Sequence, residues 1–245
     1  MTATARTVVL WDIDGTLLST GRAGIKAWED AAAEVLGYEA DLSLMRTSGL
    51  TDLMIAREIV LASGRPPDPD LELRLAHAYC EGLPACLTPT RGGVLPGVVE
   101  VLDLLHARTD TVVALLTGNL RAGARAKLRC YGLDRYFDTG GFGDDGFDRV
   151  AIGRVALERV AAAAGPLDLD RVFLVGDSPY DVACARALGL RMIAVASGVH
   201  TAAELDVDAP WWVLSRLPDP DEFTLRLELA ADGAGSTQGA PGGGR

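Results

Sequence analysis

Near the amino terminus, Thr7 to Trp11 (TVVLW) is apolar and largely β-branched without alternation, and it ends abruptly in Asp12-Ile13-Asp14-Gly15-Thr16. An unbroken apolar run of this kind reads as a strand buried on both faces, the pattern of a parallel sheet. Its first polar residues emerge beyond its carboxyl end. Residues two apart on an extended chain point to the same side, so Asp12 and Asp14 can present both carboxylates to one pocket. Gly15 lets the backbone turn there. Two like charges so close repel unless a proton or a cation intervenes. In isolation, an Asp-x-Asp pair more often caps a helix or shapes a turn.

Three further runs have the same form: Val112 to Leu116 (VVALL), Val172 to Val175 (VFLV) and Met192 to Val195 (MIAV), ending in TGN, GDS and ASG. Helical patterns lie between them. Val98 to Ala107 follows Pro96-Gly97, Arg121 to Tyr131 precedes Gly132, and Ala151 to Ala164 precedes Gly165-Pro166. Proline at the start and glycine at the end match the asymmetry of helix termini. The alternation predicts an α/β fold, a Rossmann-like doubly wound parallel sheet whose ligands bind beyond the carboxyl ends of the strands.

Residues 17–94 break this rhythm. They offer no buried strand but three helical stretches, Ile25 to Leu36, Asp52 to Ala62 and Asp70 to Leu83, and read as an inserted α-helical cap domain over the active edge. The α/β core is then 1–16 and 95–230. Residues 231–245 are glycine-rich and too poor in apolar groups to offset ordering entropy, so a disordered tail is expected.

A chain of 245 residues that is 49% hydrophobic can bury the core this scheme needs. Its net charge of −11 disfavours nucleic acid and anionic membrane surfaces as partners. Cys80, Cys86, Cys130 and Cys184 are scattered and read as buried free thiols in a reducing compartment. His77, His106 and His200 lack the spacing of a zinc pair. The first residues lack a signal-peptide profile and no apolar run approaches the ~20 residues of a membrane span, so a cytoplasmic monomer or homodimer is expected.

DIDGTLL after the first strand, LLTGN after the next and FLVGDSPYD after a third together resemble the haloacid-dehalogenase-like hydrolase superfamily. The resemblance runs from about residue 7 to residue 217 and is closest to the phosphoglycolate-phosphatase-like enzymes with a helical cap. It implies a magnesium-dependent phosphatase of a small phosphorylated metabolite. Asp12 would be the nucleophile that becomes an aspartyl-phosphate, and Asp14 the general acid and base. Displacing halide from carbon needs no proton donor, so Asp14 argues for a phosphate ester over a dehalogenase substrate. Thr117, with Gly118 and Asn119, would bind the phosphoryl group where a hydroxyl meets the N–H groups of a helix start. Mg2+ would be held by Asp12, the carbonyl of Asp14, Asp177 and a phosphate oxygen. Asp181 would either reach the metal through water or orient the loop with Ser178.

The sequence departs from the superfamily in one respect. The expected phosphate-stabilising Lys, often followed by Pro, is absent, and Asp148-Arg149 stands in its place. Arg149 is the better candidate because its guanidinium suits phosphate oxygens. Lys127 is the rival, near the end of a helix that can carry it away from the site. In the cap, Gly49, Thr51 and Asp52 resemble the family's substrate loop, although Thr51 or Asp52 would serve equally as a helix N-cap. Arg22 and Lys26 could meet an anionic substrate tail or form a solvated helix face. Trp211 and Trp212 read as core or strand residues.

Four other readings share some of these features. A phosphomutase of the β-phosphoglucomutase kind would pass the phosphoryl group to a sugar hydroxyl instead of water. Phosphonoacetaldehyde hydrolase would need a cap lysine, for which only Lys26 could serve. A receiver-like phosphoacceptor module or a non-catalytic descendant would bind without turnover, but the former lacks the long insertion and the latter would not need all four of Asp12, Asp14, Thr117 and Asp177.

Overall fold

The computed structural model describes residues 6–43 and 45–229. The tail expected at 231–245 lies outside the described residues. The first elements are β1 (Thr7–Trp11), β2 (Leu18–Ser19), α1 (Ala23–Leu36), α2 (Asp52–Ala62), α3 (Pro69–Cys86) and β3 (Gly93–Val94). There follow α4 (Val98–Ala107), β4 (Thr111–Leu116), α5 (Arg121–Cys130), β5 (Gly140–Gly141) and α6 (Arg149–Ala164). The chain continues through β6 (Val172–Gly176), α7 (Pro179–Leu188), β7 (Arg191–Val195), α8 (Ala202–Leu205), β8 (Trp212–Leu214) and α9 (Pro220–Arg226).

Six strands form one parallel sheet in the order β5-β4-β1-β6-β7-β8. β1 sits inside it, with Val8 opposite both Val112 and Val172. Every residue of β1 is buried, and the alternation of strand side chains divides them between two cores. Val9 and Trp11 face α4, α5 and α9, whereas Val8 and Leu10 face α6 and α7. Helices on both faces make the sheet doubly wound. Each fully buried large apolar side chain contributes roughly 1.5–3 kcal/mol, so this division stabilises both layers and fixes the register of β1.

The helices α1, α2 and α3 gather a third cluster around Trp28, Ile59, Leu75, Tyr79 and Leu83. Trp28 and Tyr79 stack with ring centroids 4.0 Å apart and planes within 4°. Asp68 caps α3, with Pro69 in its first turn, and α1 ends at Gly37, whose φ of 59° is left-handed.

Two expectations need correction. The insertion is not wholly helical: β2 and β3 pair antiparallel at its two ends. Two residues per strand carry too little apolar pattern to be seen in sequence. Of the cysteines, all four are free, but only Cys80 and Cys184 are buried, while Cys86 and Cys130 are partly exposed. The tryptophan pair belongs to β8 and its approach, where Trp211 packs on Phe173 and Trp212 near Phe223.

Candidate active site

β1, β4 and β6 are adjacent, so their carboxyl ends bring Asp12, Thr117 and Asp177 to one edge. Asp12 N donates to Val175 O at 3.0 Å, extending the ladder by one residue past β1. Gly15 then turns the chain with φ 79°. A Cβ at Gly15 or at Gly198 would collide with the Asp177 carboxylate, so the loop of β1 and the loop after β7 form a close cradle around it. Ser197 Oγ ties the two loops by donating to Gly15 O at 2.7 Å. Neither Ser197 nor Gly198 stood out in the sequence beyond the polar end of its strand.

Asp12, Asp177 and Asp181 are buried, and each offers a carboxylate oxygen within 4.8 Å of the others. Among the described residues Asp177 has a single side-chain hydrogen bond, from Thr16 Oγ1 at 3.4 Å. Burial first, then the negative charge of Asp181 and Asp12, pushes its carboxyl up to about 8. Burial likewise raises Asp12 to about 6, against the opposing pull of Arg149. A buried, under-bonded carboxylate among others is a donor set for a hard divalent cation. Asp181 is committed elsewhere: Oδ2 accepts from Ser178 N at 3.1 Å and Ser178 Oγ at 2.6 Å, and Oδ1 pairs with Arg149.

Two buried cations flank the paired aspartates. Arg149, the first residue of α6 and next to its capping Asp148, places Nη2 3.1 Å from Asp12 Oδ2 and also against Asp181. Lys127 places Nζ 2.6 Å from Asp14 Oδ2 and 2.5 Å from Asn119 Oδ1. Its helix does not carry it away, as the sequence allowed. Lys127 falls on the buried stripe of Gly123, Ala124, Lys127 and Leu128, which turns it inward. That stripe was the available signal. Burial alone would lower Lys127, but Asp14, Tyr79 and Asp52 outweigh it and hold the ammonium charged. Arg149 is held charged in the same way by Asp12 and Asp181.

Asn119 links the second motif to the first. Its Nδ2 donates to Asp14 Oδ2 at 2.9 Å and to Thr117 Oγ1 at 2.8 Å, and its backbone N–H reaches Thr117 Oγ1 at 3.3 Å. The next two backbone donors, at the start of α5, are bonded within the protein. Leu120 N donates to Asp52 Oδ2 at 2.7 Å, and Arg121 N to Asp144 Oδ2 at 2.5 Å. Carboxylates of the protein therefore occupy those two donors.

The loop before α2 lies directly against this edge. Asp52 N donates to Gly118 O at 2.9 Å, Thr51 Oγ1 to Phe147 O at 3.1 Å, and Arg149 Nη1 to Gly49 O at 3.4 Å. Thr51 also caps α2 by accepting from Met54 N. Gly49, with φ 76°, has no room for a Cβ beside Ser178 and Tyr180. Burial raises the Asp52 carboxyl to about 7, opposed by Lys127 and by the Leu120 N–H. Lys26 is exposed and pairs with Asp30 one turn along α1. Among the described residues no helix is long and apolar enough to cross a membrane.

A doubly wound sheet with paired aspartates beyond its inner strand, a helical insertion after that strand and an acid cluster beyond the neighbouring one defines a hydrolase class. The chain belongs to the haloacid dehalogenase-like hydrolase family, whose model matches residues 9–186, and a HAD-like hydrolase model matches residues 153–220. Among its relatives is the protein of Dickeya dadantii described as "Probable phosphatase IndB", 30% identical over 212 residues, covering 83% of this chain and 86% of that one. A phosphoglycolate phosphatase of Synechococcus elongatus is 28% identical over 215 residues, covering 86% and 93%. Among solved structures, that of a predicted phosphatase from Clostridium acetobutylicum superposes with a TM-score of 0.70 over 92% of this chain and 99% of that one, a likeness of fold at 19% identity.

Proposed function

We propose that the chain is a magnesium-dependent phosphatase that hydrolyses a small phosphate monoester through an aspartyl-phosphate on Asp12. The observation that carries this reading is the separate pairing of the two aspartates: Asp12 with Arg149, and Asp14 with Lys127 and Asn119. The phosphatase names borne by relatives across most of this chain's length support it.

In the first step an Asp12 carboxylate oxygen attacks phosphorus, the ester P–O bond breaks, and Asp14 gives its proton to the leaving oxygen. In the second, Asp14 takes a proton from water as that water attacks phosphorus, which releases phosphate and restores Asp12. Arg149 Nε is buried without a hydrogen-bond partner among the described residues, leaving an N–H beside Asp12 for a phosphoryl oxygen. Thr117 Oγ1 already accepts from Asn119, so its own proton is available to the same group. Asp12, Asp177 and the carbonyl of Asp14 would hold magnesium, with Asp181 behind them. The metal supplies charge neutralisation between an anionic nucleophile and an anionic substrate.

Residues 17–94 act in this reading as the cap, whose loop at Gly49, Thr51 and Asp52 covers the site and borders the leaving group. The four free thiols suit a reducing cytoplasm.

The test is phosphate release from a panel of phosphorylated metabolites, phosphoglycolate included, with magnesium and with excess EDTA. Turnover of at least one monoester with magnesium and none in EDTA is expected. Failure of the whole panel, or full activity in EDTA without retained metal, overturns the proposal. A requirement for a sugar bisphosphate activator would assign the mutase reaction instead.

A further inference from the structure

We infer that Lys127 is a positioning residue for Asp14, and that it leaves the phosphoryl group to Arg149. The inference rests on the phosphatase reading above and assigns the second buried cation within it.

Lys127 is only 4% exposed, whereas the Asp14 side chain is 42% exposed. An aspartate that open to solvent samples several side-chain rotamers unless something holds it. Two donors hold this one, Lys127 Nζ at 2.6 Å and Asn119 Nδ2 at 2.9 Å, and both converge on Oδ2. Neither bond uses Oδ1, which is therefore the oxygen left to exchange a proton with the substrate. Lys127 and Asn119 are themselves joined at 2.5 Å, which closes a three-membered ring of hydrogen bonds around the Asp14 carboxylate.

The ammonium has three donors and this ring takes two of them. Arg149, by contrast, keeps a buried unpartnered Nε and stands against the nucleophile. The two cations thus divide the work, Arg149 at the attacked phosphorus and Lys127 behind the carboxyl that protonates the departing oxygen. The insertion shares in the arrangement. One turn before Lys127, the position a Cβ would take at Gly123 lies 3.7 Å from Asp52 Oδ2 and 3.7 Å from the Tyr79 ring. The helices α2 and α3 therefore pack over the stretch of α5 that aims Lys127 at Asp14.

A group that orients the general acid matters most when the leaving group is poor. The experiment compares kcat/KM for phenyl phosphate and p-nitrophenyl phosphate in wild type, Lys127→Met and Lys127→Arg, each measured on one preparation. The ratio of the two constants is independent of the folded fraction, so reduced folding of a variant does not obscure it. In Lys127→Met the phenyl to p-nitrophenyl ratio is expected to fall by about 10-fold or more, since displacing a catalytic group slightly can cost ~10²-fold where that group is needed. Lys127→Arg should recover part of the ratio. Adding Lys127→Met to Asp14→Asn should change the ratio by less than about 3-fold, because the group it acts through no longer exchanges protons. Equal losses on both esters, or no loss on either, overturn the inference while leaving the phosphatase reading intact. A wild-type protein that cleaves neither ester overturns that reading and the inference with it.

Discussion

Arg149 Nη2 stands 3.1 Å from Asp12 Oδ2 and pairs at the same time with Asp181, so one guanidinium joins the end of β1 to the first turn of α7. All three side chains are buried. Breaking a buried pair by removing one partner leaves an uncompensated charge, which typically costs ~3–5 kcal/mol. Arg149→Met should therefore be destabilised by about that much in EDTA, measured by urea unfolding. Magnesium should restore part of the loss, because Asp12 and Asp181 border the proposed metal position. An unchanged midpoint in EDTA would mean that Arg149 is not needed to balance the acid cluster.

The two aspartates of the first motif should fail differently. Asp12→Asn should form no phosphoenzyme, since an amide oxygen is a poor nucleophile. Asp14→Asn keeps the nucleophile but loses the proton donor and the base for the second step, so turnover should fall roughly 10²- to 10⁴-fold. With p-nitrophenyl phosphate its second step should suffer more than its first. Rapid-quench labelling should find aspartyl-phosphate accumulating in Asp14→Asn and none in Asp12→Asn. Labelling of Asp12→Asn as ready as wild type would end the nucleophile assignment.

Gly118 tests the contact between the insertion and the sheet edge. A Cβ there would lie 2.8 Å from Leu50 O and 2.9 Å from Thr51 Cα, both backbone atoms with little freedom to yield. Gly118→Ala should push the loop at residues 47–52 off the edge and break the Asp52 N to Gly118 O bond. The core cluster around β1 does not include this contact, so thermal stability should change little. Activity should fall about 10²-fold, the scale of a misplaced catalytic geometry, and limited proteolysis should cut the loop faster. Unchanged proteolysis with unchanged activity would show that the loop accommodates the methyl group.

The sheet was legible because its inner strands are long apolar runs, and β1 was read from Thr7 to Trp11 as it stands. β5 was not, since an edge strand of Gly140 and Gly141 has no apolar pattern to show. The motif residues could be read because each follows a strand end. Lys127 was harder: its distance along the chain from Thr117 said nothing of the side of α5 it occupies. Only its place in a stripe with Ala124 and Leu128 could have turned it inward, and a lysine among apolar residues reads first as a surface charge. The seating of Asp52 on Leu120 N depends on how the insertion folds back, which no local pattern encodes.

Three buried carboxyls make stability depend on pH in a direction opposite to that of ordinary paired acids. Burial raises Asp12 to about 6, Asp52 to about 7 and Asp177 to about 8, while the unfolded chain titrates near 3.8. Between these limits the folded protein keeps protons that the unfolded chain has lost, so stability falls as pH rises from about 4 to about 8. Acids lowered in the fold, such as Asp110 with Arg108 and Asp145, whose Arg159 bond overcomes burial, contribute stability that is lost only as pH falls below the carboxylate range. The two groups therefore act in separate windows. In EDTA the melting temperature should decline steadily across the upper window. Magnesium favours the anions of Asp12 and Asp177 and should flatten most of that decline. Asp52 sits by Lys127, outside the trio of Asp12, Asp177 and Asp181, and should account for the slope that remains. Asp52→Asn should then leave the magnesium-bound protein nearly level between those limits. A melting temperature that climbs with pH in EDTA would mean that these carboxyls are already ionised in the metal-free fold, and the case for a cation among them would lose its electrostatic basis.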